Sequence, residues 1–351
     1  KRGLGVSPYN GIVSPAYSVF TFNDECYPDY YNYLLRSDEY ITEFRKHSTG
    51  ITMSRLRLYD DSFGTVLAHL PPLDEQKLIS RYLDKKTEQI DRLVEKIQKK
   101  IELLKEQRTS MINQCVTKGL DPNVEMKDSG VEWIGEIPKH WKLGRFKYYI
   151  SILTDFTANG SFKALADNVE YLLEGYSRLV RLTDLRMDLQ NEGVYVSFDS
   201  HDFLKKSELF GNEILIANVG AYTGLAVKMK TGKGTCTLGP NMFLVKNNEK
   251  ISNVDYVVYL LNSHSTKMEF DLVISSTAQP KINKDNLRGL VVPIPPKNEQ
   301  EEISAALNES TKSFDCILRK KNKKISLLKE YRQSMISSVV TGKFRVTEDM
   351  I

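Results

Sequence analysis

The stretch Leu70–Leu83 reads LPPLDEQKLISRYL, and Ile294–Leu307, which begins 224 residues further on, reads IPPKNEQEEISAAL. The offset continues without a gap for about fifty residues, so that Asp91, for example, matches Asp315. Chance does not explain a match of this length. The chain therefore contains an internal duplication, and the segments before and between the two copies decide how it is organised.

Each copy predicts one long helix. The Pro-Pro pair at the start of each copy favours extended backbone, and Asp74 and Asn298 follow where an N-cap residue is expected. Glycine and proline are then absent until Gly119 and Gly342, which predict the helix ends. The prediction is about 40 residues of helix in each copy, or roughly 60 Å at the α-helical rise of about 1.5 Å per residue.

Both predicted helices carry an apolar repeat of seven residues. Two helices with one such stripe each are expected to pair, although Arg108 and Arg332 interrupt the stripes at equivalent places. Because a globular segment must leave the end of one helix and return at the start of the other, we expect antiparallel pairing; two separate surface helices are the alternative. The predicted seam consists of Leu83, Ile90, Val94, Ile97, Ile101, Leu104 and Met111 in the first copy, and of Leu307, Phe314, Leu318, Ile325, Leu328 and Met335 in the second.

Short strand-like segments fill the region between the two copies. They read VYVSF, EILIANVG, LAVKM, MFLVKN and GLVVPIP, each bounded by turn residues, and Tyr256–Leu261 among them favours a helix. Both tryptophans, Trp133 and Trp141, precede these strands, where anchoring in the core is the ordinary role and a docking loop is the alternative. The region therefore predicts an α+β unit.

The residues before the first copy resemble the end of this unit. Tyr33–Leu35 matches Tyr259–Leu261, and Phe44 matches Phe270, both at an offset of 226 residues. The chain thus follows the order unit, helix, unit, helix, and we expect the front half of the first unit to be missing. The predicted divisions are 1–69 for the C-terminal part of the first globular domain, 70–120 for the first helix, 121–293 for a linker and the second globular domain, 294–345 for the second helix and 346–351 for a tail.

The composition and the motifs that are absent exclude some classes of protein. A formal charge of +4 and 41% hydrophobic residues are ordinary for a folded chain and do not by themselves indicate a nucleic-acid partner. The four cysteines are scattered, which favours free thiols in a reducing cytosol and a cytoplasmic location, and the five histidines lack metal-ligand spacing. The sequence has neither the glycine-rich cofactor loop nor the (D/N)PP(Y/F) motif of a DNA methyltransferase. We therefore expect no metal, no cofactor and no catalytic site.

Several motifs together are similar to the DNA-specificity subunits of type I restriction-modification systems. They are LPPLDEQ and IPPKNEQ, the helix ends LLKEQRTSMINQCVTKGL and LLKEYRQSMISSVVTGKF, and SGVEWIGEIPKHW. These motifs occur in the family's order, and the resemblance spans essentially the whole chain. It implies an α+β fold with two target recognition domains, the first of them incomplete here, separated by two long helices paired as an antiparallel coiled coil.

The resemblance also implies a function and partners. Each target recognition domain is expected to read one half of a split double-stranded DNA sequence in the major groove, and the helix pair to set the length of the gap. Methylation subunits, two of them in the family's complexes, and restriction subunits of the same system would carry out the chemistry, so this chain is expected to be non-catalytic. A scaffold protein that no longer reads DNA is the alternative, and a methyltransferase that acts alone is the poorest interpretation.

One group of candidate DNA contacts lies in and after the loop Asn218–Gly224. This loop combines glycines with Asn218, a residue type that pairs with adenine, and Tyr222, which reaches phosphate or stacks on bases. An ordinary hairpin is the alternative. The three lysines that follow suit phosphate attraction, although lysines that serve only solubility have the same pattern. They are Lys228, Lys230 and Lys233.

A second group comes from the polar segment Ser275–Asn283, which the resemblance places at the border of the DNA-facing cleft. Its candidate contacts are Gln279, Lys281 and Asn283. In the first unit the corresponding segment carries Arg55, with Arg57 close by. Arginine is the commonest reader of guanine and also binds phosphate with two parallel hydrogen bonds, so both arginines are candidates.

Overall fold

The structure, a computed structural model, describes residues 4–7, 9–15, 17–50, 56–274 and 279–351. The chain divides into two compact units. Unit 1 comprises Lys1–Leu103 together with Cys316–Ile351, and unit 2 comprises Leu104–Asp315. Because the divisions fall inside the two long helices, each unit contains a part of both.

Two of the α-helices are far longer than the others. They have 46 and 44 residues and begin at the two Pro-Pro motifs. Short 3₁₀ turns occur at Phe146–Tyr149, Phe156–Asn159, Lys205–Ser207 and Glu348–Met350. The α-helices are α1 (Pro28–Leu34), α2 (Asp38–Lys46), α3 (Asp60–Gly64), α4 (Leu73–Lys118), α5 (Phe162–Asn168), α6 (Leu182–Arg186), α7 (Phe198–Phe203), α8 (Val254–Leu261), α9 (His264–Val273), α10 (Lys284–Gly289) and α11 (Lys297–Val340).

The assigned strands lie between the two long helices, in unit 2. The five strand-like segments of the sequence and the helix at Tyr256–Leu261 are confirmed, and with them the α+β class. The strands are β1 (Met126–Asp128), β2 (Glu136–Pro138), β3 (Lys142–Arg145), β4 (Ile150–Asp155), β5 (Ser177–Val180), β6 (Val194–Val196), β7 (Glu208–Leu209), β8 (Ile214–Ala217), β9 (Ala226–Lys228), β10 (Cys236–Leu238), β11 (Met242–Asn247) and β12 (Val291–Ile294).

These strands form two four-stranded sheets and two smaller pairs. One sheet has the order β4-β11-β8-β9 and is antiparallel throughout, and the other has the order β6-β5-β10-β7 with β5 and β10 parallel. The pairs β1-β2 and β3-β12 are antiparallel. Strand β8 is buried along its whole length because apolar clusters cover both faces, one containing Ile214 and Ile216 and the other Leu215. The hairpin loop that follows it carries the candidate residues described below.

The tryptophan segment is part of the core of unit 2. Trp141 is fully buried, and Trp133 packs against the same apolar cluster, which confirms the predicted anchoring. The Trp141 indole N–H donates to Glu299 Oε2 at 2.8 Å, close to the start of α11. Gly119, at the end of α4, has φ +77°, and a Cβ there would lie 3.3 Å from the Trp141 ring. The turn after α4 is therefore shaped by close packing against this indole.

The two long helices begin two residues earlier than the sequence suggested. Asp74 and Asn298, expected as N-caps, lie inside the first turns of α4 and α11. The backbone N–H of Gln76 donates to the Pro72 carbonyl at 3.0 Å, so the second proline accepts the first helical hydrogen bond, and Pro296 has the same role in the second copy. The carboxylate of Asp74 still lies near the positive end of the helix dipole.

The glutamine of the first EQ motif ties the start of α4 to the globular segment before it. Gln76 is fully buried. Its side-chain Oε1 accepts from the Tyr27 backbone N–H at 2.7 Å, and its Nε2 donates to the carbonyls of Glu25 and Pro71, both at 2.8 Å. This one amide therefore satisfies three backbone groups of unit 1.

The glutamine of the second EQ motif repeats this arrangement in unit 2. Gln300 is also fully buried, and its Oε1 accepts from the Asn253 backbone N–H at 2.9 Å. Its Nε2 donates to the carbonyls of Ile251 and Pro295 at 3.0 and 2.9 Å. The two copies therefore share the same hydrogen bonds as well as the same residues, which explains why both keep the Glu-Gln motif.

Two tyrosines at equivalent positions tie the short helices to the ends of the long ones. In unit 1 the Tyr30 hydroxyl donates to the Val340 carbonyl at 3.1 Å, and in unit 2 the Tyr256 hydroxyl donates to the Val116 carbonyl at 3.2 Å. Burial raises the pKa of both hydroxyls well above the ordinary value, so both remain protonated donors. Both units therefore close around a long-helix terminus in the same way.

The arginines that interrupt the apolar stripes form equivalent ion pairs. In unit 1 Arg332 Nε lies 3.1 Å from Asp91 Oδ1, and in unit 2 Arg108 Nε lies 3.8 Å from Asp315 Oδ1. All four are partly exposed, and such pairs contribute only about 0.2–1 kcal/mol. These ion pairs indicate which positions of the long helices lie opposite each other within a unit, because each pair joins the two helices at a duplicated position.

The predicted seam residues differ in burial. Eight are buried within their units, and the other five are partly exposed. The buried ones are Leu83, Ile90, Val94, Ile97, Ile101, Leu307, Ile325 and Met335. The partly exposed ones are Leu104, Met111, Phe314, Leu318 and Leu328.

Candidate nucleic-acid interface

The two segments of unit 2 that the sequence singled out lie side by side. The Gly220 backbone N–H donates to the Pro280 carbonyl at 2.9 Å, and the Ile282 N–H donates to the Asn218 carbonyl at 3.0 Å. The Thr223 hydroxyl adds a hydrogen bond to Pro280 at 3.1 Å. Loop 218–224 and segment 279–283, which are some 60 residues apart in sequence, therefore form one surface, named here the loop patch.

Close packing fixes the end of loop 218–224. Gly224 has φ +92°, a conformation that residues with a side chain rarely adopt. A Cβ at this position would lie 3.1 Å from the Phe270 ring, so the backbone passes directly against α9. The Gly224 N–H donates to the Ala217 carbonyl at 2.8 Å and closes the loop at the end of β8. The loop is thus a rigid support for its exposed side chains.

Tyr222 forms the exposed tip of the loop patch together with Arg186. The Tyr222 side chain is 44% exposed, and the Arg186 guanidinium carbon lies 4.2 Å from the centre of its ring. This is a cation–π stack, in which the ring face attracts the positive charge and restricts the guanidinium plane. Sequence reasoning missed Arg186, because the contact joins α6 to a loop 36 positions later in the chain.

A buried carboxylate positions α6. Asp184 is fully buried and accepts hydrogen bonds from the Arg181 side chain at 2.9 and 3.0 Å and from Asn191 Nδ2 at 2.6 Å. It also accepts from the Arg181 backbone N–H at 2.8 Å. Burial alone would raise the pKa of Asp184, but these hydrogen bonds outweigh it and lower the pKa to about 2. Asp184 therefore stays ionised and fixes the start of the helix that carries Arg186.

The turn after Arg186 is also held in place. Asp188 and Leu189 have positive φ values of 54° and 58°, which are uncommon for residues other than glycine. The Arg178 guanidinium donates to the Leu189 carbonyl at 2.9 Å and to the Asn191 carbonyl at 3.1 Å. Two arginines thus brace the segment, while Arg186 itself faces outward.

The three candidate lysines differ in their surroundings. Lys228 Nζ lies 2.8 Å from Asp255 Oδ1, and Lys230 Nζ lies 2.6 Å from Asp188 Oδ1. The hydrogen bond from Lys230 lowers the pKa of Asp188. Lys233 is exposed on the turn between β9 and β10. A phosphate would therefore compete with a carboxylate for Lys228 and Lys230.

The amide candidates also have structural roles. Asn218 Oδ1 is buried, and no hydrogen-bond partner for it is present among the described residues. Two hydrogen bonds to adenine would therefore require this side chain to turn. The Asn283 side chain accepts from the Asn286 N–H at 2.7 Å and caps α10. Gln279 and Lys281 are exposed in segment 279–283.

The two arginine candidates of unit 1 are described in part. Arg55 and the neighbouring residues 51–54 lie outside the described residues. Arg57 is exposed, and its backbone exchanges two hydrogen bonds of 2.8 Å with Thr49. Both arginines remain predictions of the sequence.

Neither a metal site nor a membrane-spanning helix is present among the described residues. No group of three or more histidine, cysteine or acidic side chains there has the arrangement of a metal site. The helices in this part of the chain do not combine the length and the apolar character that crossing a membrane requires.

A family model and curated proteins match the chain. The model described as type I restriction modification DNA specificity domain matches residues 185–327, which include Arg186, loop 218–224 and segment 279–283. Two specificity subunits from Methanocaldococcus jannaschii are similar, those of the type I restriction enzyme MjaVIII and of the putative enzyme MjaX. Each is 27% identical; the matches cover 90% and 91% of this chain and 70% and 68% of the relatives. The EcoKI specificity subunit of Escherichia coli is 20% identical over 95% of this chain and 68% of its own length.

Two solved structures share the fold. One is a chain from a study of complex assembly and conformational transition in the type I R-M system, with a TM-score of 0.67 and 16% identity over 89% of this chain and 70% of that chain. The other is the HsdS subunit from Thermoanaerobacter tengcongensis, with a TM-score of 0.51 and 17% identity over 91% of this chain and 71% of that one.

Proposed function

The chain belongs to the DNA-specificity subunits of type I restriction-modification systems, and we propose that it recognises a bipartite double-stranded DNA target and directs partner subunits to it. The observation that carries the proposal is the loop patch of unit 2. It lies inside the matched specificity domain and presents Tyr222, stacked with Arg186, from braced backbone, while Lys233 is exposed on the turn between β9 and β10. Exposed cations and an aromatic ring on a rigid support are the groups that bind phosphates and base edges.

The proposed architecture has two target recognition domains, within residues 1–69 and 121–293, separated by α4 and α11 as an antiparallel coiled coil. Contacts inside unit 1 support the antiparallel direction. The Tyr82 ring stacks on Phe344 with centroids 6.1 Å apart, whereas Asp91, further along α4, pairs with Arg332, which comes earlier in the chain. The equivalent pair Arg108–Asp315 in unit 2 supports the same direction.

The paired helices would act as a spacer. Inserting seven residues in the middle of both α4 and α11 keeps the apolar stripes in register and adds about 10 Å of helix. At about 3.4 Å per base pair, the gap of the recognised sequence should grow by about three base pairs while both half-sites stay the same. A methylated motif with an unchanged gap in such a variant would show that the helices do not set the spacing.

The proposed partners are two methylation subunits per complex, in keeping with the family, and the restriction subunits of the same system. The names of the relatives support this, since each is the specificity subunit of a type I restriction enzyme. The chain itself would be non-catalytic. It would bind the target, and its partners would methylate or cleave.

The deciding experiment is genome-wide mapping of methylated bases in a host that carries this gene with its methylation partner genes. The expected result is one two-part motif with a gap of constant length, which disappears when this gene alone is deleted. A motif that survives the deletion, or a methylated sequence without a gap, would contradict the proposal. A scaffold without DNA contact would leave the same sequences methylated after deletion.

A further inference from the structure

We propose that Arg186 is a base-reading residue of unit 2 and recognises a guanine in the major groove of its half-site. The inference rests on the proposed function and adds to it a residue and a base. Arg186 lies in α6, outside both segments that the sequence marked as DNA contacts.

The first argument is that the guanidinium is fixed in position before any ligand arrives. Its carbon lies 4.2 Å from the centre of the Tyr222 ring, and Tyr222 lies on a loop tied by backbone hydrogen bonds to segment 279–283. The first turn of the helix that carries Arg186 is held by the buried carboxylate of Asp184, which accepts a hydrogen bond from the Arg181 backbone N–H. A side chain held in this way loses less conformational entropy on binding than a free surface arginine does.

The second argument is that the charge of Arg186 is available. Arg186 is exposed, and the hydrogen bonds and ion pairs found among the described residues do not use its guanidinium N–H groups. The nearby carboxylates are already engaged: Asp184 by Arg181 and Arg178, and Asp188 by Lys230. No ion pair between Arg186 and a carboxylate is present among the described residues.

The third argument is chemical fit. Guanine presents two adjacent acceptors, O6 and N7, in the major groove, and the planar guanidinium offers two parallel donors at the matching spacing. A stack on an aromatic face leaves the edge of the guanidinium, where these donors lie, open to a base. A phosphate also accepts two parallel hydrogen bonds, so the experiment must separate a base contact from a phosphate contact.

The test uses the complete complex of this chain with its methylation partners. The variants are Arg186→Lys, which keeps the positive charge but loses the two parallel N–H donors of the guanidinium, and Arg186→Ala. Lys233→Gln is the matched control, because it removes an exposed cation near the loop patch that is expected to attract phosphate only. Tyr222→Phe keeps the aromatic face, whereas Tyr222→Leu removes it.

Methylated motifs are mapped for each complex, and binding is measured on duplexes that carry the wild-type motif with each guanine replaced in turn. We expect Arg186→Lys and Arg186→Ala to relax one guanine position in one half-site, with a loss of discrimination of about 5- to 150-fold. The other half-site should not change. Tyr222→Phe should behave as wild type, Tyr222→Leu should relax the same position more weakly, and Lys233→Gln should lower affinity for all sequences alike.

Three results would overturn the inference. The motif and all discrimination ratios could be unchanged in Arg186→Lys. Affinity could fall equally for every duplex, with a weaker salt dependence, which would make Arg186 a phosphate contact. Relaxation could spread over both half-sites, which would indicate general damage. If the wild-type complex methylates no two-part motif, the proposed function itself fails; if it does and only the Arg186 results are negative, the proposed function stands.

Discussion

Replacing Gln300 by leucine should destabilise unit 2 strongly, although no large apolar side chain is lost. Gln300 is fully buried and forms hydrogen bonds with the backbone groups of three residues, Asn253, Ile251 and Pro295. Leucine has a similar size but no polar atom. The substitution therefore leaves one backbone N–H and two carbonyls without their partner in a place that water does not reach.

The magnitude follows from these three groups. A buried donor or acceptor left without a partner costs about 1–3 kcal/mol, so the three together should cost at least about 3 kcal/mol. The added apolar burial of leucine offsets part of this, since burying such a side chain contributes about 1.5–3 kcal/mol relative to exposure. At the middle of each range the three groups cost about 6 kcal/mol and the leucine returns about 2 kcal/mol, so we expect a net loss of about 4 kcal/mol in the free energy of unfolding of unit 2.

The assay is urea unfolding followed by tryptophan fluorescence. Both tryptophans of the chain, Trp133 and Trp141, belong to unit 2, so the signal reports that unit. Trp141 is bonded to Glu299, the residue next to Gln300, which makes the signal sensitive to this helix start. The midpoint should shift while the slope stays near the wild-type value, because the surface exposed on unfolding hardly changes.

The matched control is Gln107→Leu, an exposed glutamine on α4 within unit 2. It should change stability by less than about 0.5 kcal/mol, as surface substitutions do. A loss below about 1 kcal/mol for Gln300→Leu would refute the reasoning. It would mean that the freed backbone groups find other partners and that the repeated motif does not lock the helix start.

Three further expectations concern other contacts of the two units. Arg332→Asp should lower the free energy of unfolding by up to about 1 kcal/mol, and adding Asp91→Arg should restore the lost stability. The assay is urea unfolding followed by far-UV circular dichroism. A double variant that is no more stable than the single one would argue against this ion pair. Tyr256→Phe should cost about 1–3 kcal/mol by tryptophan fluorescence, because it leaves the buried Val116 carbonyl without its partner, and an unchanged midpoint would show that this carbonyl is otherwise satisfied. The pKa of Asp184 is lowered to about 2, so its contribution to stability is present above its ordinary pKa of about 3.9 and is lost as the pH falls towards 2. The stability of Asp184→Asn should therefore fall less steeply than that of wild type over this acid range, and equal slopes would contradict the assigned hydrogen bonds.

Local patterns in the sequence predicted the two long helices, five of the strands and helix α8. The seven-residue repeat and the glycine stops gave two helices whose observed lengths are 46 and 44 residues, slightly above the predicted 40 or so. The apolar segments between turn residues became strands in the sheets of unit 2. The N-cap prediction at Asp74 and Asn298 was wrong, because the carbonyls of Pro72 and Pro296 accept the first helical hydrogen bonds and the helices therefore begin two residues earlier. Side-chain propensities alone do not reveal this.

The candidate site was only partly visible in the sequence. Glycines and polar residues marked loop 218–224 and segment 279–283 as candidates. The sequence did not indicate, however, that the two segments form backbone hydrogen bonds with each other. Arg186 had no local signal at all, since an arginine at the end of a short helix is ordinary. Conversely, Lys228, Lys230 and Asn283 matched the pattern of DNA contacts, yet each has an intramolecular partner.

Patterns among neighbouring residues were enough to identify the duplication, the two long helices, five of the strands and the family that the repeated motifs resemble. Periodicity, turn residues and repeated letters carry this information because helices and strands form from local backbone preferences. Which polar groups are exposed, and which are bonded to partners distant in sequence, depends instead on contacts that form in the folded chain. Arg186 on the Tyr222 ring and Gln300 beneath the Asn253 backbone are of this kind, since their roles arise from contacts that exist only once the chain has folded.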